Sequence, residues 1–256
     1  MTDFHKLVFE EISPNQISIL VENNSFRSIS RKTFANLSKL TDLMLFDNKI
    51  GFIDDHSFDD LTSLNTLYIN SNLLIILSSD FFFGLQSLSV LSLFNNPLQE
   101  PRCGELFKHL TNFRHLLMSQ SPNVDLPGLT QLPDRVFFSM KRLRALNIST
   151  IKITNLTFLT FYGLNELYSL DLQGNRLTVI LSGSLQQVPK IFSLNLSRNK
   201  LYCLLQRHST ALIRPSLRLP AKATSSVGLP LAVFARKAPG RINFIETKAT
   251  SYRSNI

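Results

Sequence analysis

The stretch Leu40-Thr-Asp-Leu43-Met-Leu45-Phe-Asp-Asn48-Lys-Ile50 recurs along the chain at a constant spacing of 24 residues. Its frame is L-x-x-L-x-L-x-x-N-x-L, with Ile accepted at some of the Leu positions. The frame returns with its Asn at positions 72, 96, 175 and 199. A fixed period between about 20 and 50 residues is the mark of a solenoid, in which each unit buries its apolar face against its neighbours.

Each copy of the frame contains a short strand followed by a polar turn. Leu43 and Leu45 alternate with Met44 at strand period, so one face of the strand is buried and the other is exposed. An Asn after the strand carries donors and an acceptor for the backbone of the turn. Stacking therefore predicts a buried asparagine ladder with a purely structural role. Its members are Asn24, Asn48, Asn72, Asn96, Asn175 and Asn199.

A second column of apolar residues stands 14 residues before the ladder positions. It accounts for a chain with 20 Phe and no Trp. We predict that this column forms the convex half of the core. Its members are Phe34, Phe58, Phe82 and Phe161, with Phe107 and Phe137 in the two irregular repeats and Leu185 in the last.

The basic character of the chain comes from its C-terminal end. Residues 202–256 hold nine Lys and Arg and one Glu, so 18 of the 27 basic and 17 of the 18 acidic residues remain in 1–201. The sequence pI of 9.8 therefore gives no argument for nucleic-acid binding by the whole chain. No apolar run reaches the roughly 18 residues of a transmembrane helix, and no signal peptide is visible at the N-terminus.

The pattern divides the chain into a solenoid over residues 1–201 and a basic tail over 202–256 that we expect to be disordered. One repeat is longer than the others, because the ladder position after Ser121 is Ile151. The Pro- and Gly-rich stretch 122–133 holds the extra residues and predicts a loop that bulges from the solenoid. Cys103 and Cys203 lie four repeats apart, which predicts that they are unpaired.

The 24-residue frame with Phe in the convex segment resembles the "typical" class of extracellular leucine-rich repeats, over residues 17–201. Toll-like receptor ectodomains and many adhesion and matrix proteins contain this class. The long repeat at 121–151 resembles the irregular repeats of Toll-like receptors. The resemblance implies an α/β fold, namely a right-handed solenoid of about eight repeats whose parallel sheet lines the concave side of a horseshoe arc.

The same resemblance implies an extracellular or cell-surface location. Five Asn-x-Ser/Thr sequons agree with that location and predict glycans at Asn23, Asn36, Asn147, Asn155 and Asn195. Cys203 stands where the cysteine-rich cap of such ectodomains begins, yet no cysteine follows it. We therefore expect the chain to be a fragment whose tail is not native receptor sequence; continuous transcript support through Ile256 would contradict this.

Motifs of catalysis are absent from the sequence. There is no phosphate-binding Gly loop, no H-E-x-x-H and no G-x-S-x-G, and we predict neither a cofactor nor a metal. Cys103, His109 and His115 are the only residues worth considering as metal ligands. The frame places His115 on the concave strand and His109 in a convex segment, so they should point apart. His56 and His208 have no carboxylate that the pattern brings near.

The exposed strand positions are the remaining candidates for function. Apolar and aromatic residues concentrate at these positions in the first five repeats, whereas the last three repeats are wholly polar there. The predicted binding residues are Met44, Phe46, Tyr68, Phe94 and Leu117. Exposed aromatic anchors are typical of binding surfaces. The alternative is a face that tolerates apolar residues or that a dimer partner covers.

The sequence thus predicts a non-enzymatic recognition module of a Toll-like-receptor-type innate immune ectodomain. Its partner would be a protein or pathogen-derived ligand on the concave face, with a homo- or heterodimer as a further possibility. A structural or adhesive matrix protein built from the same repeats is the alternative. A Toll-type signalling domain in the full-length gene would separate the two.

Overall fold

The computed structural model describes residues 12–99, 106–121, 129–201 and 203–205. One parallel sheet of eight strands dominates it, in the order β1-β3-β5-β6-β7-β8-β9-β11. Two small parallel pairs, β2 with β4 and β10 with β12, lie beside this sheet. The strands are β1 Ser18–Leu20, β2 Ser28–Ile29, β3 Asp42–Met44, β4 Phe52–Ile53, β5 Thr66–Tyr68, β6 Val90–Ser92, β7 His115–Leu117, β8 Ala145–Asn147, β9 Ser169–Asp171, β10 Val179–Leu181, β11 Ser193–Asn195 and β12 Cys203–Leu205.

The strand register follows the sequence frame. Leu43 pairs with Leu67 and Leu67 with Leu91, one 24-residue period at a time. Leu116 then pairs with Leu146, so the sheet stays in register across the longer repeat. The leucine-rich solenoid with a parallel sheet is thereby confirmed.

The convex half of the core is the predicted aromatic column. Phe34, Phe58, Phe82, Phe107, Phe137 and Phe161 are all fully buried, and Leu185 is buried as well. Ring centroids are 5.7 Å apart for Phe34 and Phe58, 5.4 Å for Phe82 and Phe107, and 6.0 Å for Phe107 and Phe137, while Phe81 contacts both Phe58 and Phe82. Losing one of these buried rings would cost about 3–5 kcal/mol.

Helical structure is confined to two short segments in the described ranges. A 3₁₀ turn spans Ser79–Phe82, and α1 spans Ser182–Gln186. A 24-residue repeat leaves little room for more, as the sequence predicted. None of the described helices has the length and apolar character needed to cross a membrane. The sequence did not reveal the pairs β2–β4 and β10–β12; the latter continues the 24-residue register to Leu205.

The asparagine ladder connects each repeat to the one before it. The amide of Asn72 donates to the carbonyl oxygens of Leu45, at 2.8 Å, and of Asn70, at 3.0 Å. Its Oδ1 accepts the backbone N–H of Ile50 at 2.9 Å. Two of these three partners lie in the preceding repeat. Asn96, Asn175 and Asn199 bond to the preceding repeat in the same way.

The prediction for Asn24 is wrong. Its side chain is exposed and donates only to the carbonyl of Glu22 in its own repeat, at 2.7 Å. Ladder bonds point to the preceding repeat, and no described strand precedes β1 in the sheet. Asn48 is buried and donates to Val21, but its Oδ1 has no partner. The ladder is therefore complete only from Asn72 onward.

The irregular repeats replace the ladder with a different connection. The Thr150 hydroxyl donates to the backbone carbonyl of Gln120 and accepts the Gln120 N–H at 3.2 Å. The Gln120 amide in turn donates to the carbonyl of Asn96 at 3.4 Å. Leu129 and Leu132 are buried, so the second part of the 122–133 stretch enters the core instead of bulging from it. Residues 122–128 lie outside the described residues, as do Cys103 and the tail from 206 onward.

Candidate ligand-binding surface on the concave sheet

Two rows of side chains cross the concave sheet from strand to strand. The central row occupies the last position of each strand, and the outer row lies two residues further along the chain. The central row is Leu20, Met44, Tyr68, Ser92, Leu117, Asn147, Asp171 and Asn195. The outer row is Glu22, Phe46, Asn70, Phe94, Ser119, Ser149, Gln173 and Ser197.

The five predicted binding residues fall on adjacent strands of these rows. Met44 pairs directly with Tyr68, while Ser92 separates Tyr68 from Leu117. Phe46 and Phe94 lie in the outer row on either side of Asn70. All five side chains are half-buried, so each offers part of its apolar surface to solvent. The register thus brings the predicted residues to one face.

A shallow cavity of about 410 Å³ opens at the centre of this face. Tyr68 and Leu117 form part of its lining, and Ser92 lies between them. Ser92 is only 3% exposed, and its hydroxyl oxygen has no hydrogen-bond partner in the structure. Oδ1 of Asn70, which lies between Phe46 and Phe94 in the outer row, also has no hydrogen-bond partner. Buried polar atoms without a hydrogen bond lower the stability of the folded chain.

Side-chain oxygens on the C-terminal strands accept the backbone N–H groups of residues two positions further along the chain. Oδ1 of Asn147 accepts the backbone N–H of Ser149 at 3.0 Å, and Oδ1 of Asp171 accepts that of Gln173 at 2.9 Å. Asn195 accepts from Ser197 and donates to the Gln173 side chain at 2.9 Å. These groups need no external partner.

The five sequon asparagines fall into two groups. Asn23, Asn36 and Asn155 are exposed on turns and loops, whereas Asn147 and Asn195 are half-buried on the concave sheet. The side chains of the concave pair are also hydrogen-bonded, as described above. The structure therefore distinguishes three accessible sequon asparagines from two that are half-buried and hydrogen-bonded.

Sequence reasoning missed an apolar cluster on the flank of the solenoid. Phe52 and Ile76 are 62% and 61% exposed, and Leu73 and Ile75 are also exposed. Backbone bonds from Leu73 to Ile50 and from Gln99 to Ile75 hold these segments side by side. The run Leu73-Leu-Ile-Ile-Leu77 is the signal that could have revealed it, because only Leu74 in that run is buried.

The histidines are placed partly as predicted. His115 opens strand β7 on the concave side, and partial burial, followed by the charges of Arg114 and Arg144, holds its pKa below the usual range. His109 lies 3.7 Å from Asp80 on the convex side. The prediction for His56 is wrong, since its Nδ1 lies 3.1 Å from Asp59. Within the described residues no group of His, Cys, Asp and Glu could hold a metal.

The stacked strands and the open concave face define a solenoid recognition module. The model of the family "Leucine rich repeat" matches residues 17–74, 40–98, 123–177 and 141–201. These matches cover more than half of the chain, which therefore belongs to the leucine-rich-repeat family. A comparison with curated protein sequences gives no match.

Two solved ectodomain structures resemble this fold. The Toll structure in the Toll–Spatzle complex of Drosophila superposes with a TM-score of 0.71 at 26% identity, over 80% of this chain and 26% of Toll. The TLR13 structure in complex with ssRNA13 gives 0.55 at 19% identity, over 75% of this chain and 32% of TLR13. The chain thus spans about a quarter to a third of the length of these two structures.

Proposed function

We propose that this chain is the recognition part of a Toll-like innate immune ectodomain and binds a protein ligand through the N-terminal half of its concave face. Met44, Phe46, Tyr68, Phe94 and Leu117 form the docking patch in this proposal. It acts by binding, without catalysis. One observation carries the proposal: the apolar side chains of these five residues lie on adjacent strands of this half and remain partly exposed.

Energetic considerations support this location. Burying one Phe or Tyr side chain contributes about 1.5–3 kcal/mol, and aromatic anchors often dominate an interface. The patch extends over strands β3 to β7, and at about 4.8 Å per strand it measures roughly 20 Å. That length suits a protein segment.

The comparisons support the receptor assignment. Toll is solved in complex with Spatzle, and TLR13 in complex with ssRNA13, so both related solenoids are ligand-binding proteins. The Toll–Spatzle complex is described as a hub in development and innate immunity. A protein ligand is favoured here because the docking patch is apolar and has no cationic side chain among its five members.

An extracellular location is part of the same proposal. We expect glycans at the exposed Asn23, Asn36 and Asn155, and a lower occupancy at Asn147 and Asn195. The chain would be expressed in the secretory pathway, digested, and mapped for glycosylation at each sequon. Complete absence of glycan at the three exposed sites would contradict the extracellular assignment.

A structural or adhesive matrix protein is the second candidate, because the same repeats serve both classes. Matrix assembly requires contacts between copies. The exposed flank cluster of Phe52, Leu73, Ile75 and Ile76 is the observation that favours it, since exposed apolar clusters mark interaction surfaces. Concentration-dependent self-association that Ile76→Ser abolishes would support this second function.

The docking patch can be tested before any natural ligand is identified. A phage-displayed random-peptide library would be selected on the immobilised chain, since such libraries converge on the strongest binding surface. The selected peptides would then be titrated against Tyr68→Ala and Phe94→Ala. We expect each change to weaken binding at least about tenfold, which corresponds to roughly 1.4 kcal/mol. Circular dichroism would confirm that both variants remain folded.

Two control variants make the test decisive. Asp171→Ala alters the C-terminal half of the same face and should leave peptide binding unchanged. Ile76→Ser alters the flank cluster and should do the same. Peptides that lose affinity for Ile76→Ser but not for Tyr68→Ala would move the docking site to the flank and overturn its assignment to the concave face.

A further inference from the structure

A third row of side chains follows the margin of the concave sheet, at the residue directly before each strand. In the C-terminal repeats this margin row is Arg114, Arg144, Tyr168 and Phe192. Each backbone N–H in the row donates to the carbonyl of the previous member: Arg144 to Arg114, Tyr168 to Arg144, and Phe192 to Tyr168, all at 2.8 Å. The four residues are therefore direct neighbours on adjacent repeats.

The cationic end of the margin row has no counter-ion among the residues that the structure describes. Arg114 and Arg144 are both exposed, and within the described residues neither forms an ion pair. Lys141 and Arg142 lie just before Arg144 and add positive charge, while Arg142 bonds only to the neutral amide of Asn112. At His115, partial burial and then the charges of Arg114 and Arg144 hold the pKa below its usual range.

The aromatic end of the margin row forms a platform beside these cations. The rings of Tyr168 and Phe192 are stacked, with centroids 4.7 Å apart and planes 9° from parallel. Tyr168 nevertheless remains 50% exposed. A preformed aromatic pair loses little conformational entropy when it accepts a further apolar group.

We propose that the margin row binds an acidic segment of the protein partner, with carboxylates on Arg114 and Arg144 and an adjoining apolar side chain against Tyr168 and Phe192. Arg presents a planar fork that matches a carboxylate with two hydrogen bonds. The inference rests on the proposed function and adds the chemistry of the ligand. A partner of this kind would place its apolar part over Tyr68 and Phe94 and its acidic part over the margin.

The extent of the cationic site favours a protein over a nucleic acid. Arg114 and Arg144 lie on adjacent strands, about 4.8 Å apart, which is the scale of one or two carboxylates. A nucleic-acid strand is held by a cationic groove that follows several successive phosphates. Beyond Arg144 the row continues with Tyr168 and Phe192, which carry no charge, so the cationic stretch ends after two side chains.

The absence of Trp from the chain permits a local reporter. Tyr168→Trp places the only Trp beside Phe192, so its emission reports ligand binding at the margin. Phe52→Trp supplies the same reporter on the opposite flank as a control. The probe is a short synthetic peptide in which Glu residues flank one Phe, with a matched peptide that carries Gln instead of Glu.

We expect the Glu peptide to change the emission of the Tyr168→Trp chain saturably, with a weaker effect at higher salt. Adding Arg114→Gln and Arg144→Gln should raise the dissociation constant at least about tenfold. The control variant Arg27→Gln with Arg176→Gln removes the same amount of charge from the other flank. It should leave the dissociation constant unchanged. The Gln peptide and the Phe52→Trp reporter should give no saturable signal.

Other outcomes overturn the inference. No saturable signal, equal binding of the Gln peptide, or equal losses in the two double-Arg variants would each do so. A single-stranded oligodeoxythymidylate that bound at the reporter more tightly than the Glu peptide would replace the protein segment with a nucleic acid. If binding of the selected peptides depends on Tyr68 but not on Arg114 and Arg144, the proposed function stands and the margin inference fails. If it depends on Arg114 and Arg144 but not on Tyr68, only the docking patch is removed.

Discussion

The two halves of the concave face share one backbone and differ in how their side chains are satisfied. On strands β3 to β7 the outward residues are largely apolar, and the oxygens of Ser92 and Asn70 have no partner. On strands β8, β9 and β11 the outward residues are polar, and Asn147 and Asp171 bond within their own repeats. The polar side chains of the C-terminal half hydrogen-bond within the chain and to water. The N-terminal half instead has exposed apolar area and buried polar atoms without hydrogen bonds.

This difference shows that an outward strand position in a solenoid has no binding property of its own. The residue that occupies the position decides whether it can contribute to binding. The inward leucines fix the backbone in both halves, and the outward side chains are free to vary. Function therefore depends on the contrast between repeats that have the same fold. Three experiments test this difference between the two halves.

The largest expected effect concerns the ladder beneath the N-terminal half. Asn72→Ala should lower the free energy of unfolding by about 1–3 kcal/mol, because it leaves the buried N–H of Ile50 unbonded and leaves the carbonyl of Leu45 with only the longer bond from Asn48, at 3.4 Å. Urea unfolding followed by circular dichroism would measure the change. Asn24→Ala is the control and should have little effect, since Asn24 is exposed. Equal effects of the two changes would mean that the ladder does not support the docking half.

A smaller pair of effects tests the contrast directly. Ser92→Ala should leave the free energy of unfolding unchanged or raise it, because the hydroxyl it removes is buried without a partner. Asn147→Ala should lower it by about 0.5–1.5 kcal/mol, because the bond to Ser149 is lost. Both changes truncate the same row of the sheet. A clear loss of stability in Ser92→Ala would show that its oxygen is satisfied and that the halves are alike.

The smallest effect is a pH dependence at the boundary between the halves. Burial, then Arg114 and Arg144, lower the pKa of His115 in the folded chain, so the unfolded chain binds this proton more readily. Its contribution to stability is therefore present above the usual histidine pKa of 6.5 and is lost as the pH falls through and below that value. The unfolding free energy of wild type should fall relative to His115→Gln over this range. A constant difference between them would contradict the shift.

Local pattern was sufficient for the parts of the fold that repeat. The strand register, the Phe column and the ladder from Asn48 onward all follow from a frame that any single copy displays. The Asn24 prediction failed because a ladder bond needs the preceding repeat, which a residue's own copy does not contain. The His56 prediction failed for a related reason. Asp59 lies in the same convex segment as His56, and the repeat frame does not specify the geometry of the turn that brings the two side chains together.

The candidate site was predictable only in part. Alternation identified Met44, Phe46, Tyr68, Phe94 and Leu117 as outward-facing, and the structure places them on adjacent strands. The unpartnered oxygens of Ser92 and Asn70 could not be foreseen, because the accessibility of an atom depends on its neighbours in other repeats. The exposed flank cluster was overlooked because Leu73 and Ile76 follow the strand, where the frame gives only Leu74 a defined place.

By itself the sequence determined that this chain is a solenoid, which residues point into it, and where its outward face changes from apolar to polar. These properties are local, since each repeat encodes its own inward and outward positions. Tertiary structure alone decided which polar groups are satisfied, and that Arg114, Arg144, Tyr168 and Phe192 form one continuous margin. The physical reason is that hydrogen bonding and electrostatics act between repeats, across distances of a few ångströms that join residues 24 or 30 positions apart in the chain.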